Sequence, residues 1–209
     1  MALAGYAVAF TVAYTRIGAA VGALLLFGAV QVTMTGTGLA RGERPRRVDW
    51  LGVVLAVAGL GVLTVPGATA PDVVGAALML AAGACWGVYS LIGRTSRDPL
   101  ATTAGNFVRA SALTIVALAA LLPAASLTWR GVLLATASGS LASGVGYTFW
   151  YAALPALASW RAALLQLLVP VLTALLAATW LGESISSRLL GASVLVIAGV
   201  WLTVQVKRN

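Results

Sequence analysis

Apolar residues run along this chain in eight long stretches, near residues 2–15, 17–39, 50–66, 73–92, 105–125, 131–153, 159–181 and 186–206, with short polar links between them. Most reach the roughly 17–25 residues a helix needs to cross a hydrocarbon core of about 30 Å. They do not break into alternating segments of about ten residues, as the strands of a membrane barrel would. Lipid offers a backbone no hydrogen-bond partner, so each stretch is read as a helix that satisfies its own amides. The predicted class is therefore all-α, a polytopic transmembrane bundle of about eight helices. The first stretch, ALAGYAVAFTVAY, holds thirteen residues before Thr15-Arg16, or roughly 20 Å of helix. No basic segment precedes it, as one would in a signal peptide. It reads as the remaining part of a helix whose start is missing.

Composition agrees. Of 209 residues, 61% are hydrophobic and 9% charged, against about 25% charged in a soluble domain. The net charge of +8 sits in links between apolar runs and forms no separate basic domain, so nucleic acid is not an expected partner. The links also orient the chain. Alternate links and the tail hold Arg41, Arg44, Arg46 and Arg47, then Arg94 and Arg97, then Arg109, Arg161, Lys207 and Arg208; the other links hold Arg16, Arg130 and Arg188. Basic residues favour the cytoplasmic side, so this bias predicts both termini in the cytoplasm. The link PGATAPD (Pro66–Asp72), with no basic residue, fits an outside turn.

The chain also repeats itself. GALLLFGAVQVTM (Gly22–Met34) aligns with AALLQLLVPVLTA (Ala162–Ala174) at a shift of 140, and Gly42-Glu43 with Gly182-Glu183 at the same shift. Leu51-Gly52 pairs with Leu190-Gly191 at 139, and Gly5-Tyr6 with Gly146-Tyr147 at 141. Five predicted helices lie between the two Gly-Glu turns, which puts the turns on opposite faces and makes the repeat inverted. Inverted repeats commonly build secondary transporters, with the substrate site near midplane between the halves. Glycine is suited to end a helix at such a turn, so Gly42, Glu43, Gly182 and Glu183 are read as structural markers of the two halves.

AGACWGVYSLIGR (Ala82–Arg94), GYTFWYAALP (Gly146–Pro155), AALLQLLVPVLTALLAATWLGE (Ala162–Glu183) and GASVLVIAGVWL (Gly191–Leu202) together resemble EamA-like permeases of the drug/metabolite transporter superfamily. The resemblance implies two five-helix halves in inverted repeat, with this chain similar to helices three to ten. Residues 1–66 would then form an incomplete first half, 73–206 the second half, and 207–209 a cytoplasmic tail. It further implies movement, in particular export, of a small metabolite or xenobiotic by alternating access in a bacterial inner membrane.

Candidate chemistry narrows accordingly. With no histidine and one cysteine, Cys85, the chain offers no Ser–His or Cys–His nucleophile and no His-ligated metal. SGSLASGVG (Ser138–Gly146) is therefore not read as a protease motif. Glu43, Asp49, Asp72, Asp98 and Glu183 all fall in links or at helix ends, so no span carries a midplane carboxylate for proton coupling. No enzyme activity, metal or cofactor is expected.

Polar and aromatic groups inside the spans remain. Trp86 and Tyr89 share a helix face, as do Tyr147, Trp150 and Tyr151; such rings receive apolar or cationic substrate parts and donate hydrogen bonds. For Trp150 and Tyr151 an interfacial aromatic belt is an equal reading, and for Trp50, Trp129, Trp160, Trp180 and Trp201 the favoured one. Gln31 and Gln166 could each contact substrate or bridge helices. Pro170 frees the carbonyl of Gln166 one turn earlier and can kink its helix. Asn106 and Arg109 are placed at the start of the fifth span, where Arg109 could attract an anion or snorkel to lipid phosphate. Small pairs such as Gly83–Gly87 and Ser140–Gly144 are read as sites of close helix approach. The expected partners are membrane lipid and a small-molecule substrate, with a homo-oligomer left open. Two alternatives stay open on the residues alone: a truncated, non-transporting membrane protein, or a membrane-embedded accessory or scaffold subunit.

Overall fold

In a computed structural model, residues 1–17, 19–64, 72–121, 128–180 and 186–204 are described, and eight helical passes are found among them. The first five are α1 (Ala2–Tyr14), α2 (Ala19–Ala40), α3 (Arg47–Thr64), α4 (Val73–Gly93) and α5 (Pro99–Leu121). The sixth joins α6 (Trp129–Ala137), a π-helical stretch Ser138–Val145, α7 (Gly146–Ala153) and a 3-10 turn Leu154–Ala156. The seventh is α8 (Ser159–Gln166) followed by α9 (Leu168–Trp180), and the eighth is α10 (Ser187–Val204). Among the described residues, Val21–Ala40, Val73–Gly93, Trp129–Ala156 and Ser187–Val204 have the length and apolarity to cross a membrane. Their outward residues, Leu133, Leu134, Phe149, Val194 and Ile197 among them, are exposed apolar groups suited to lipid.

Short polar side chains set the helix starts by accepting hydrogen bonds from first-turn amides that have no intrahelical partner. Asp72 accepts from Gly75 N at 2.7 Å, Asp98 from Ala101 N at 2.9 Å, Thr128 from Gly131 N at 3.1 Å and Ser186 from Leu189 N at 3.1 Å. The Asp98 cap corrects the expected start of the fifth span. With Pro99 in the first helical position, where its missing N–H costs nothing, the helix begins there and not near 105. Asn106 and Arg109 therefore lie two to three turns inside α5.

The end of α2 forms as the Gly-Glu turn implied. Gly42 takes φ +85, the left-handed conformation that favours glycine. Gly42 N donates to Leu39 O and Glu43 N to Gly38 O, both at 2.9 Å, a Schellman closure. Gly182 and Glu183 lie outside the described residues, as do 66–71 of the PGATAPD link. In the seventh pass Pro170 has no N–H for the Gln166 carbonyl, and the helix breaks there: Leu167 N donates to Leu164 O at 3.0 Å in a tightened turn.

Loop contacts fix which ends share a face. Glu43 after α2, Arg94 after α4 and Ser159 at the start of α8 meet at one end of the bundle. Arg16 after α1 and Asp72 before α4 approach to 3.6 Å at the other. The passes thus alternate, and the repeat equivalents α3 and α10 run antiparallel against each other. A methyl group on Gly52 would stand 2.6 Å from both the Gly199 carbonyl oxygen and Thr203 Cγ2, and one on Gly59 2.9 Å from the Ala192 carbonyl. Gly83 likewise lies against the Leu26 carbonyl and Gly87 against Thr33, so α2 and α4 approach closely where the small-residue spacing predicts. Ser140 and Gly144 do not act this way. They lie in the exposed π stretch and border a hollow of about 380 Å³ facing Thr103 and Phe107 of α5.

Candidate functional site

Trp86 lies on α4, where Gly83 and Gly87 draw that helix against α2. Its indole is surrounded by tyrosines from three helices. Ring centroids lie 5.0 Å from Tyr6 of α1, 4.8 Å from Tyr147 of α7 and 5.4 Å from Tyr89 of α4 itself, all tilted. Its N–H donates to Gln166 Oε1. The Gln166 amide nitrogen donates in turn to Ala162 O at 3.2 Å and to Met34 Sδ at 3.3 Å. At 6% exposure, Gln166 has both ends of its amide engaged by protein and so bridges α2, α4 and α8.

A cavity of about 420 Å³ opens beside this indole. Tyr6, Phe27, Trp86, Tyr147 and Trp150 supply its aromatic lining, Leu26, Leu165, Gln166 and Val169 line it too, and Ala142 and Gly146 are its small residues from the sixth pass. None of these lining residues is charged. The volume falls in the range of about 300–1,000 Å³ usual for small-molecule sites. Such walls suit a solute with an apolar or cationic portion, held by ring faces and oriented by tyrosine hydroxyls.

A second row supports the first. Tyr89 and Tyr151 are 3% and 0% exposed, too buried to touch a solute, and their rings pack at 4.7 Å. The Tyr151 hydroxyl donates to Tyr89 O at 3.0 Å and accepts from Asn106 Nδ2 at 3.4 Å. Trp150 Nε1 donates to Ser90 Oγ at 3.1 Å. Trp150 and Tyr151 thus face the bundle, which removes the belt reading for both. Trp160 is also no belt residue: it is 5% exposed, and the Arg161 guanidinium lies 5.1 Å over its ring. Trp50, Trp129 and Trp201 are exposed near helix ends, as a belt requires.

The remaining candidates lie apart from the cavity wall. Arg109 is exposed, folds back along its helix toward Gly105 and donates to Asn106 Oδ1 at 3.3 Å. That direction matches snorkelling toward the near membrane face. Gln31 is 8% exposed on α2, accepts from Thr35 Oγ1 at 3.5 Å and does not line the cavity. Pro170 shapes the helix break below Gln166. Tyr6 was absent from the sequence candidates, although its pairing with Tyr147 in the repeat points to it. Phe27 carried no sequence signal of its own.

Comparison with known proteins bears on the fold and the family. A solved crystal structure at 22% identity superposes with a TM-score of 0.84, over 97% of this chain and 72% of its own length, and so shares the fold. An uncharacterised protein of Pseudomonas aeruginosa is 50% identical over 201 residues, covering 96% of this chain and 70% of that one. The threonine/homoserine exporter RhtA of Escherichia coli K12 is 31% identical over 171 residues; the match takes in 78% of this chain and 57% of the exporter. A probable amino-acid metabolite efflux pump of Salmonella typhimurium is 41% identical over 64 residues, 31% of this chain. Residues 73–205 match the model of the EamA-like transporter family, and the chain belongs to that family.

Proposed function

We propose that the chain exports a small metabolite of about amino-acid size by alternating access, with the cavity beside Trp86 as its substrate site. The observation that carries this reading is the uncharged aromatic cavity between α1, α2, α4, the sixth pass and α8–α9, at the junction of the repeats. The likeness to a threonine/homoserine exporter supports the substrate size. The protein resides in a bacterial cytoplasmic membrane, with the arginine-rich face and both termini inside. Residues 1–66 belong to the first repeat and 73–206 to the second. The internal symmetry supports a further helix pair, equivalent to α4 and α5, lying against the sixth pass: α1 is covered by α4, whereas α6 and the π stretch have no buried residue.

The test is efflux of labelled amino acids, threonine and homoserine first, from vesicles carrying the purified protein. Efflux above protein-free vesicles, lowered by Trp86→Ala without loss of membrane insertion, is the expected result. Folded protein that moves none of the panel would overturn the proposal.

A further inference from the structure

Glu43 carries more contacts than a helix-ending turn requires. Its Oε1 accepts from Arg94 Nη1 at 2.9 Å, from Ser159 N at 3.0 Å and from Ser159 Oγ at 2.8 Å, and its Oε2 accepts from Ser159 N at 2.9 Å. Arg94 Nη1 also donates to Ser159 Oγ. The capping residue of α8, Ala158, has no side chain able to cap it. A carboxylate from 116 residues earlier therefore does that task, and its charge suits the positive end of the helix dipole. Gly38 makes the approach possible, since a methyl group there would lie 2.6 Å from Glu43 Oε2 and 3.1 Å from Ser159 Cβ.

α8 is a short lever. It begins at this contact and ends at the Leu167 break, with Gln166 at the cavity one residue before the break. Between the two, Ala162 and Ala163 are fully buried in the cluster that holds Met34, Tyr89 and Tyr151, against which Trp86 packs. We infer that Glu43, Arg94 and Ser159 form a latch that holds α8 closed over the cavity on that face, and that the Leu167 break is the hinge on which α8 swings out. The inference rests on the alternating-access reading, because only such a cycle needs this mouth to open.

The test measures accessibility and needs no substrate. Full-length protein in lipid nanodiscs, with Cys85→Ala as background, carries Ala163→Cys on the buried face of α8 or, as control, Ala13→Cys near the end of α1 on the opposite face, where the native side chain is equally buried. Glu43→Gln should raise labelling of the position-163 thiol by a membrane-impermeant maleimide roughly tenfold, the factor expected for losing a charge-assisted hydrogen bond, and leave the position-13 thiol unchanged. No rise at 163, or an equal rise at both positions, would overturn the latch. If Glu43→Gln does not fold, Ser159→Ala makes the same comparison, with a smaller rise because its backbone N–H still donates. Amino-acid efflux by the unmutated protein is measured alongside: its absence would count against the transport reading, while the labelling result alone judges the latch.

Discussion

Tyr6 and Tyr147 hold the same indole. Their ring centroids lie 5.0 and 4.8 Å from that of Trp86, and the two residues occupy equivalent places in the repeat, at a shift of 141. One side chain of α4 is thereby gripped by both halves. The arrangement predicts comparable losses from Tyr6→Ala and Tyr147→Ala, even though only Tyr147 stands in a segment that also holds a tryptophan. Each removes an aromatic contact of about 0.5–1.5 kcal/mol, so the concentration for half-maximal efflux should rise roughly two- to twelvefold. A normal response from Tyr6→Ala would remove α1 from the site.

Gln166 is tied to Trp86 by a hydrogen bond. The indole N–H donates to its amide oxygen, and its amide nitrogen donates to the Met34 sulfur and the Ala162 carbonyl, so both ends of the amide already have protein partners. Trp86→Phe, which keeps a ring and removes the N–H, should then mask the effect of Gln166→Ala. In a double-mutant cycle on efflux the two should show a coupling of about 0.5–2 kcal/mol. Additive effects would mean instead that the glutamine touches substrate independently.

Where α3 crosses α10, backbone meets backbone. A methyl group on Gly52 would press on the Gly199 carbonyl, whereas one on Gly61, on the same helix, would meet nothing within 4 Å. Gly52→Ala should therefore lower the thermal midpoint in detergent through overpacking of about 1–3 kcal/mol. Gly61→Ala should leave it unchanged or raise it slightly, because alanine favours helix by up to about 1 kcal/mol. Equal behaviour of the two variants would contradict the observed crossing.

How much of this was legible in the sequence depends on the range of the interaction that decides it. Eight passes could be read because lipid forces the backbone to close its own hydrogen bonds, so apolar length alone decides where helices lie. The start of α5 lies earlier than the apolar run suggests because Thr102, Thr103 and Asn106 look like a link, while the local signal for it is Asp98 before Pro99. Trp86 and Tyr147 stood out as aromatic residues inside spans, and the repeat marked Tyr6. Phe27 and Leu26 could not be found: on an apolar helix, nothing in the chain distinguishes a residue facing a cavity from one facing lipid. Glu43 showed its turn, fixed by neighbours within five residues, and hid its partner, which is 116 residues away.

That distant partnership also gives the Glu43 contact a defined acid sensitivity. Burial pushes the Glu43 carboxyl up, but the Ser159 amide and hydroxyl and the Arg94 guanidinium outweigh it and hold the group below its ordinary 4.5. A carboxylate whose folded-state pKa is depressed contributes stability that is fully present above the ordinary value and is lost as pH falls through the depressed one. The latch should accordingly be insensitive to pH from neutrality down to about 5 and weaken only below the usual carboxylate range. Labelling of the position-163 thiol, with each rate normalised to that of a free thiol at the same pH, should stay flat to about 5 and climb only at lower pH. Glu43→Gln, having no proton to gain, should show high labelling with no such step. A step near neutral pH in the unmutated protein would mean that some other group, and not Glu43, controls the opening of α8.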